Sequence, residues 1–185
     1  MEAIKSEDWS MPIQEGSVIF PLPDEAELKK REKRWHRTLP PACRAFLMKY
    51  NGAVPKDGSF FCHGRTYCIT RFLCVLASVA DSPLGQYDIS VVESQIGERL
   101  TANEDLVGVE ILPIAELFGG DYVCLDYREG RSEPVVCVWS HEESGEFDPV
   151  TYEAAGSFEG VISLFSQERA QTAPDDPARH GKGHL

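Results

Sequence analysis

Residues 111–127 read ILPIAELFGGDYVCLDY, in which two apolar runs flank the diglycine Gly119-Gly120. Short runs of this kind, rich in β-branched and aromatic residues, are typical of strands. A glycine pair between them accepts the positive φ that a tight reversal needs, so the stretch predicts two strands joined by a turn. A phosphate-binding loop is disfavoured, because such a loop leads into a helix N-terminus and this diglycine leads into a strand.

The acids of this stretch raise the question of a metal or catalytic site. Asp121 and Asp126 stand at the two ends of a strand of about 17 Å, so they cannot share one metal ion. His141, with Glu142 and Glu143 beside it, offers further ligands for a metal-dependent hydrolase, but only a tertiary contact would join it to either aspartate. The chain also has no G-x-S-x-G elbow. We therefore expect no catalytic residue, no metal and no cofactor.

The remaining pattern predicts four helices, a hairpin and one more strand around these two. In chain order they are helix 24–38, helix 40–50 ended by Asn51-Gly52, hairpin 59–77 turned at His63-Gly64-Arg65, helix 88–100 with Asp88 as N-cap, strand 134–140 and helix 157–167. The order predicts a single α+β domain with a largely antiparallel sheet of about five to six strands flanked by helices.

The ends of the chain lack this periodicity. Residues 1–23 carry three prolines and predict an extended arm, residues 24–168 form the domain, and residues 169–185 predict a disordered tail. Along the first helix, the run of Lys and Arg predicts a solvated face. No apolar run reaches the roughly 18 residues that span a bilayer, and the N-terminus lacks a secretory signal pattern.

Six cysteines are present, and they predict reduced thiols rather than disulfides or a zinc site. No CxxC pair occurs, and no Cys/His cluster has zinc-finger spacing. Most of the cysteines lie in or beside apolar, strand-like runs, where cysteine behaves as a small hydrophobe: Cys62, Cys68, Cys74, Cys124 and Cys137. Reduced core thiols indicate a reducing compartment, and we expect the cytoplasm.

The net charge of −12 is concentrated in one block of the chain. Residues 81–160 hold 18 acids against only Arg99, Arg128 and Arg131, whereas residues 38–80 hold one acid and five bases. Binding to nucleic acid is disfavoured, because neutralising phosphates requires clustered Lys and Arg. An acidic block inside the domain favours either a soluble surface alone or a basic protein partner.

Four motifs follow one another in an order that resembles a known family. They are LPP at 39–41 leading through Phe46-Leu47 to NG at 51–52, ILPIAELFGGDYVCLDY at 111–127, VWSHE at 138–142, and SF at 157–158 with Leu164. Together they resemble the SUKH superfamily, also called the Smi/Knr family, over about residues 32–165. One departure is Ala53, where the family often has a further glycine.

The resemblance implies a non-enzymatic α+β scaffold. Bacterial members are largely immunity proteins that bind and neutralise toxins delivered between competing cells, and those toxins are often nucleases with basic active sites. Fungal relatives are regulatory scaffold proteins. We therefore expect a cytoplasmic immunity protein whose partner is a cognate toxin with a basic surface, and no nucleic acid or membrane. The alternative is a regulatory or scaffold interaction domain without a toxin partner.

The family motifs maintain the fold, so the candidate binding residues come from the charge pattern instead. They are the acids near strand ends and loops, with Tyr127 as an aromatic anchor: Asp121, Asp126, Tyr127, Glu129, Glu142, Glu143, Glu146 and Asp148. Trp139 is a second aromatic candidate, although its position in an apolar run favours packing in the core.

Overall fold

The computed structural model describes residues 12–130 and 133–172, and the side chains as far as residue 165. Its elements are α1 (Glu25–Trp35), α2 (Pro41–Tyr50), β1 (Ser59–Cys62), β2 (Arg65–Phe72), α3 (Ile89–Ile96), β3 (Ile111–Leu117), β4 (Tyr122–Asp126), β5 (Val135–Trp139), β6 (Thr151–Ala155) and α4 (Phe158–Thr172). The four predicted helices and five predicted strands are all present.

All six strands form one antiparallel sheet in the order β1-β2-β3-β4-β5-β6, so each strand pairs with the next along the chain. This confirms the predicted single α+β domain with a largely antiparallel sheet. The sequence pattern did not predict β6, TYEAA. Four of its residues are half-buried and the central Glu153 is exposed, so the strand has no alternation of apolar and polar residues.

The diglycine forms the turn between β3 and β4, as predicted. Gly119 and Gly120 have φ values of 99° and 93°, and the Gly120 amide donates to the Leu117 carbonyl at 3.2 Å. Asp121 follows the turn directly, and Asp126 ends β4. The two aspartates therefore lie at opposite ends of one strand.

The central strands are buried on both faces. Val123 and Val138 point into the main core, where Phe46 of α2 also packs against Phe158 of α4 with ring centroids 5.5 Å apart. Because side chains alternate along a strand, their neighbours point to the opposite face. There a smaller cluster is formed by Leu100, Ile111, Cys124, Cys137 and Trp139. Burial on both faces explains why β3 to β5 read as nearly continuous apolar runs.

The basic face of α1 is only partly solvated, which corrects the expectation for its Lys/Arg run. Arg31 is buried: its Nη2 lies 3.2 Å from Asp88 Oδ2, and its Nη1 donates to Ser90 Oγ at 2.8 Å. Asp88 is the N-cap of α3, as predicted, and it also accepts from the Leu76 amide at 2.9 Å. The other bases of that run remain exposed at Lys29, Lys30, Lys33 and Arg34.

Asn51 and Gly52 end α2, but they do so in different ways. Gly52 has φ 65°, and a Cβ there would lie 2.5 Å from Ile19 Cδ1. Asn51, by contrast, has φ −42° and is buried. Its side-chain amide donates to the carbonyls of Ile19 and Val75, so it ties the described part of the N-terminal arm to the domain.

The cysteines are free thiols, and all six lie within the described residues. Five are buried, whereas Cys68 is exposed on β2, contrary to the prediction that it belongs to the core. Burial raises the pKa of the Cys43 and Cys74 thiols to about 12. Thiolate chemistry at these two positions is therefore disfavoured at neutral pH.

The described segments hold no helix long and apolar enough to span a bilayer. At the C-terminus, α4 continues to Thr172, so residues 169–172 of the predicted disordered tail are helical. Residues 1–11 of the predicted arm and residues 173–185 of the predicted tail lie outside the described residues.

Candidate partner-binding surface

The predicted binding residues divide into two groups at the opposite ends of β4. Asp126, Tyr127 and Glu129 lie at its C-terminal end. Asp121 lies at its N-terminal end, beside the connection from β5 to β6 that carries the remaining four acids. Since β4 pairs with β5 from Tyr122↔Trp139 to Asp126↔Val135, the two groups are separated by the length of the strand.

Two members of the first group are enclosed within the protein, which corrects their prediction as contact residues. Asp126 is buried, and Arg128 holds both of its carboxylate oxygens, with Nε at 3.0 Å from Oδ1 and Nη2 at 2.5 Å from Oδ2. Tyr127 is also buried, and its hydroxyl donates to the Thr38 carbonyl at 2.9 Å. Burial raises the pKa of the Tyr127 phenol. Of this group, only Glu129 has an exposed side chain.

At the other end of β4, Asp121 makes the tertiary contact with His141 that the sequence left open. Its Oδ1 accepts from the His141 backbone amide at 2.7 Å, so it joins the turn before β4 to the end of β5. The bond involves the backbone of His141 and not the imidazole. Within residues 12–130 and 133–172, no group of three or more His, Cys, Asp or Glu side chains is arranged to hold a metal ion.

Arg99 organises the chain that follows β5. Its guanidinium lies 3.1 Å from His141 Nδ1, and it donates to the carbonyls of His141 and Ser144. The same group lies over the Trp139 ring at 5.2 Å from the centroid, and the Trp139 indole donates to the Arg99 carbonyl at 2.8 Å. Arg99 was not predicted as a functional residue. Its rarity was the available signal, because it is one of three bases in the acidic block.

The connection between β5 and β6, residues 141–150, is a loop held by hydrogen bonds, and its acidic side chains are exposed to solvent. The Val150 amide donates to Ser144 Oγ at 2.9 Å, and Gly145 and Asp148 pair as an isolated bridge. The Phe147 amide donates to the Glu98 carbonyl at 2.7 Å, which ties the loop to the turn after α3. The loop is therefore held by bonds from both of its sides. Its four acids are exposed: Glu142, Glu143, Glu146 and Asp148.

Glu143 links this loop to the edges of the sheet. Its Oε2 accepts from the Tyr152 hydroxyl at 2.8 Å, and the Tyr152 ring stacks on His63 with centroids 4.3 Å apart. Cys62 Sγ also lies 3.5 Å from the Glu153 carbonyl oxygen, so β1 and β6, the two edge strands, approach each other here. The hydrogen bonds from Tyr152, and then from Ser140, lower the pKa of the Glu143 carboxyl.

We expect Tyr152→Phe to raise the pKa of Glu143 toward the ordinary glutamate value of about 4.3, because the strongest donor to the carboxylate is lost. The bond stabilises the folded protein above the unfolded-state pKa of Glu143, and this contribution disappears as the pH falls through the lowered folded-state pKa. Carboxyl NMR titration measures the change. Tyr87→Phe removes the same atom from a tyrosine without a described contact to Glu143 and serves as the control. An identical Glu143 titration in the wild type and Tyr152→Phe would contradict the assignment.

Fold and surface together define a single α+β domain with an acidic loop held against an antiparallel sheet. The chain belongs to the SMI1-KNR4 family of the SUKH superfamily, because a family model described as SMI1-KNR4 cell-wall matches residues 25–159, more than half of the 185 residues. This confirms the resemblance inferred from the four motifs. The family is generally non-catalytic. Neither a curated protein nor a solved structure matches the chain.

Proposed function

We propose that this protein is a non-enzymatic immunity protein that binds and neutralises a cognate toxin with a basic surface in an interbacterial competition system. The observation that carries the proposal is the charge of residues 81–160, with 18 acids and three bases, together with the exposure of the four acids of the 141–150 loop. Membership of the SUKH superfamily is consistent with this function.

The loop has two properties that suit capture of a basic protein. Its exposed carboxylates attract a positively charged protein surface. Such attraction raises association rate constants to about 10⁸–10⁹ M⁻¹s⁻¹ at low salt. Its conformation is already held by Arg99 and by the bond between Phe147 and Glu98, so little ordering is needed on binding.

An exposed aromatic side chain lies in the turn before Asp121, although it is not one of the two predicted. Trp139 and Tyr127 are both buried, whereas Phe118 is 81% exposed in the turn before Asp121. A Cβ built on Gly120, two residues further along, would lie 3.9 Å from His141 Cγ, so this turn borders the loop. Exposed aromatic residues often anchor protein interfaces. We therefore include Phe118 in the proposed surface.

Growth rescue by this chain tests the proposal. The product of the adjacent gene is produced alone and together with this protein, the growth of the host is measured, and the pair is then co-purified. We expect the adjacent product alone to arrest growth, co-production to restore it, and the two proteins to purify as a complex. A complex with a protein that has no effect on growth would favour the regulatory or scaffold alternative and would overturn the immunity proposal.

A further inference from the structure

A groove lies on the side of the 141–150 loop that faces α3. It runs between α3, with its following turn Gly97–Arg99, and the segment 101–110 that leads into β3, and its volume is about 700 Å³. Aliphatic side chains line it from both sides: the half-buried Ile96 and Leu106, and the buried Leu100, Val109 and Ile111. Leu100 and Ile111 belong to the smaller core cluster, so the floor of the groove is continuous with the packed interior.

Four glutamates surround this aliphatic floor: Glu93, Glu98, Glu104 and Glu110. Within residues 12–130 and 133–172, no ion pair involves any of them, and only Glu110 has a side-chain hydrogen bond, from Thr101 Oγ1 at 3.0 Å. Partial burial raises the pKa of Glu93, while the nearby Arg34 lowers it. None of the four carboxylates therefore has a cation bonded to it in the part of the chain that the structure describes.

The base that lines the groove does not neutralise these acids by direct pairing. The guanidinium of Arg99 is directed to the carbonyls of His141 and Ser144 and lies over Trp139. Among the described residues, no base is bonded to Glu98 or Glu104, so both carboxylates are open to a cation of a bound partner.

The groove and the 141–150 loop are neighbours on the surface. Phe147 of the loop lines the groove, and its amide is the group that bonds to the Glu98 carbonyl. A protein bound at the exposed acids of the loop is therefore placed to extend a segment into the groove. This inference rests on the proposed function, because it assigns part of the same basic partner to a second position.

We infer that the groove binds a segment of the partner protein in which Lys or Arg residues alternate with aliphatic ones. The long aliphatic stems of Lys and Arg pack on apolar surface while their charged ends remain at a polar rim, which is the arrangement the groove offers. Purely acidic or anionic ligands do not fit, because four carboxylates surround the floor. A small apolar ligand would leave the same carboxylates unpaired.

A peptide titration of the full chain tests this inference without the partner. The probe is the synthetic peptide KLLKKLLK, and its position is read from backbone amide shifts at about 0.15 M ionic strength. We expect saturable shifts in residues 93–110. The peptide KSSKKSSK keeps the charges and loses the aliphatic side chains. We expect its affinity to be lower than that of KLLKKLLK by about tenfold or more. Equal affinity of the two peptides would overturn the role of the apolar floor.

Two variants with the same net charge locate the binding. Glu98→Lys with Glu104→Lys places two like charges at the groove, and we expect it to weaken KLLKKLLK binding about tenfold or more. Glu15→Lys with Asp81→Lys makes the same change at two exposed residues that do not line the groove, and binding should be retained. Circular dichroism and urea unfolding check that all variants fold.

Three outcomes would overturn the inference. They are equal weakening in both charge variants, amide shifts centred outside residues 93–110, and self-association of the chain that the groove variant abolishes, which would make a second copy the occupant. Failure of the peptide experiment leaves the immunity proposal standing, because growth rescue does not depend on where the partner binds. If growth rescue fails and the peptide still binds, the groove remains a binding site for a basic, aliphatic segment. That segment would then not belong to a toxin.

Discussion

Replacing Asp88 by alanine is expected to lower the free energy of unfolding by about 3–5 kcal/mol, because it breaks a buried ion pair and leaves the buried Arg31 with Glu27 as its one carboxylate partner among the described residues. The Asp88 carboxylate has several roles at once. It lies 3.2 Å from an Arg31 nitrogen, it caps α3 by accepting from the Ser90 amide, and it accepts from the Leu76 amide. The side chains of Arg31 and Asp88 are at most 10% exposed, so water cannot replace the lost bonds.

Urea unfolding of the two N-cap variants separates these contributions. Asp24→Ala removes the same kind of cap from α1, where the side chain is exposed and accepts only from the Glu27 amide, so it should cost about 1 kcal/mol. Arg31→Met together with Asp88→Ala should lose less than the sum of the two single changes, because the pair couples. A loss for Asp88→Ala no larger than that of Asp24→Ala would show that the buried pair adds little to stability.

Reversing the charge of Glu142, Glu146 and Asp148 to lysine is expected to slow association with the adjacent-gene product by about 100-fold at low salt. Association rate constants are about 10⁸–10⁹ M⁻¹s⁻¹ for oppositely charged surfaces at low salt and about 10⁵–10⁶ M⁻¹s⁻¹ without that attraction. This variant makes the loop repel a basic partner instead of attracting it. Stability should change by less than about 0.5 kcal/mol, since all three side chains are exposed. Stopped-flow association and urea unfolding measure the two effects.

A matched triple variant controls for net charge. Glu15, Asp57 and Asp81 are exposed acids outside the loop, and their reversal to lysine changes the net charge equally. This control should slow association much less than the loop variant. The difference should shrink as salt is added, because exposed charges are screened over about 8 Å at physiological ionic strength. Association that is unchanged in the loop variant at low salt would exclude this loop as the binding surface.

Much of the fold could be predicted from local patterns. The diglycine at 119–120, the apolar runs on both sides of it and the Asp88 cap specify the β3–β4 turn and the start of α3 without reference to distant residues. The half-buried β6 was missed, because a strand that packs only partly carries no strong alternation.

The candidate surface was predicted less well than the fold. The exposed acids of the 141–150 loop follow from their turn residues and charge, and they remain the proposed contact residues. Asp126 and Tyr127 also lie at a strand end, like the acids of the 141–150 loop. Unlike those acids, they are buried. The difference lies in Arg128 and Thr38, which supply their hydrogen-bond partners.

The sequence alone determined the strand order around the diglycine turn, the helices, and the concentration of acid in residues 81–160, because periodicity, turn residues and charge are local properties. Tertiary structure decided which charged groups are neutralised. It buries Arg31 against Asp88, directs Arg99 into the 141–150 loop, and bonds no described cation to Glu98 or Glu104 beside the groove. Such pairing depends on contacts between residues far apart in the chain, and those contacts exist only after the sheet and helices have packed.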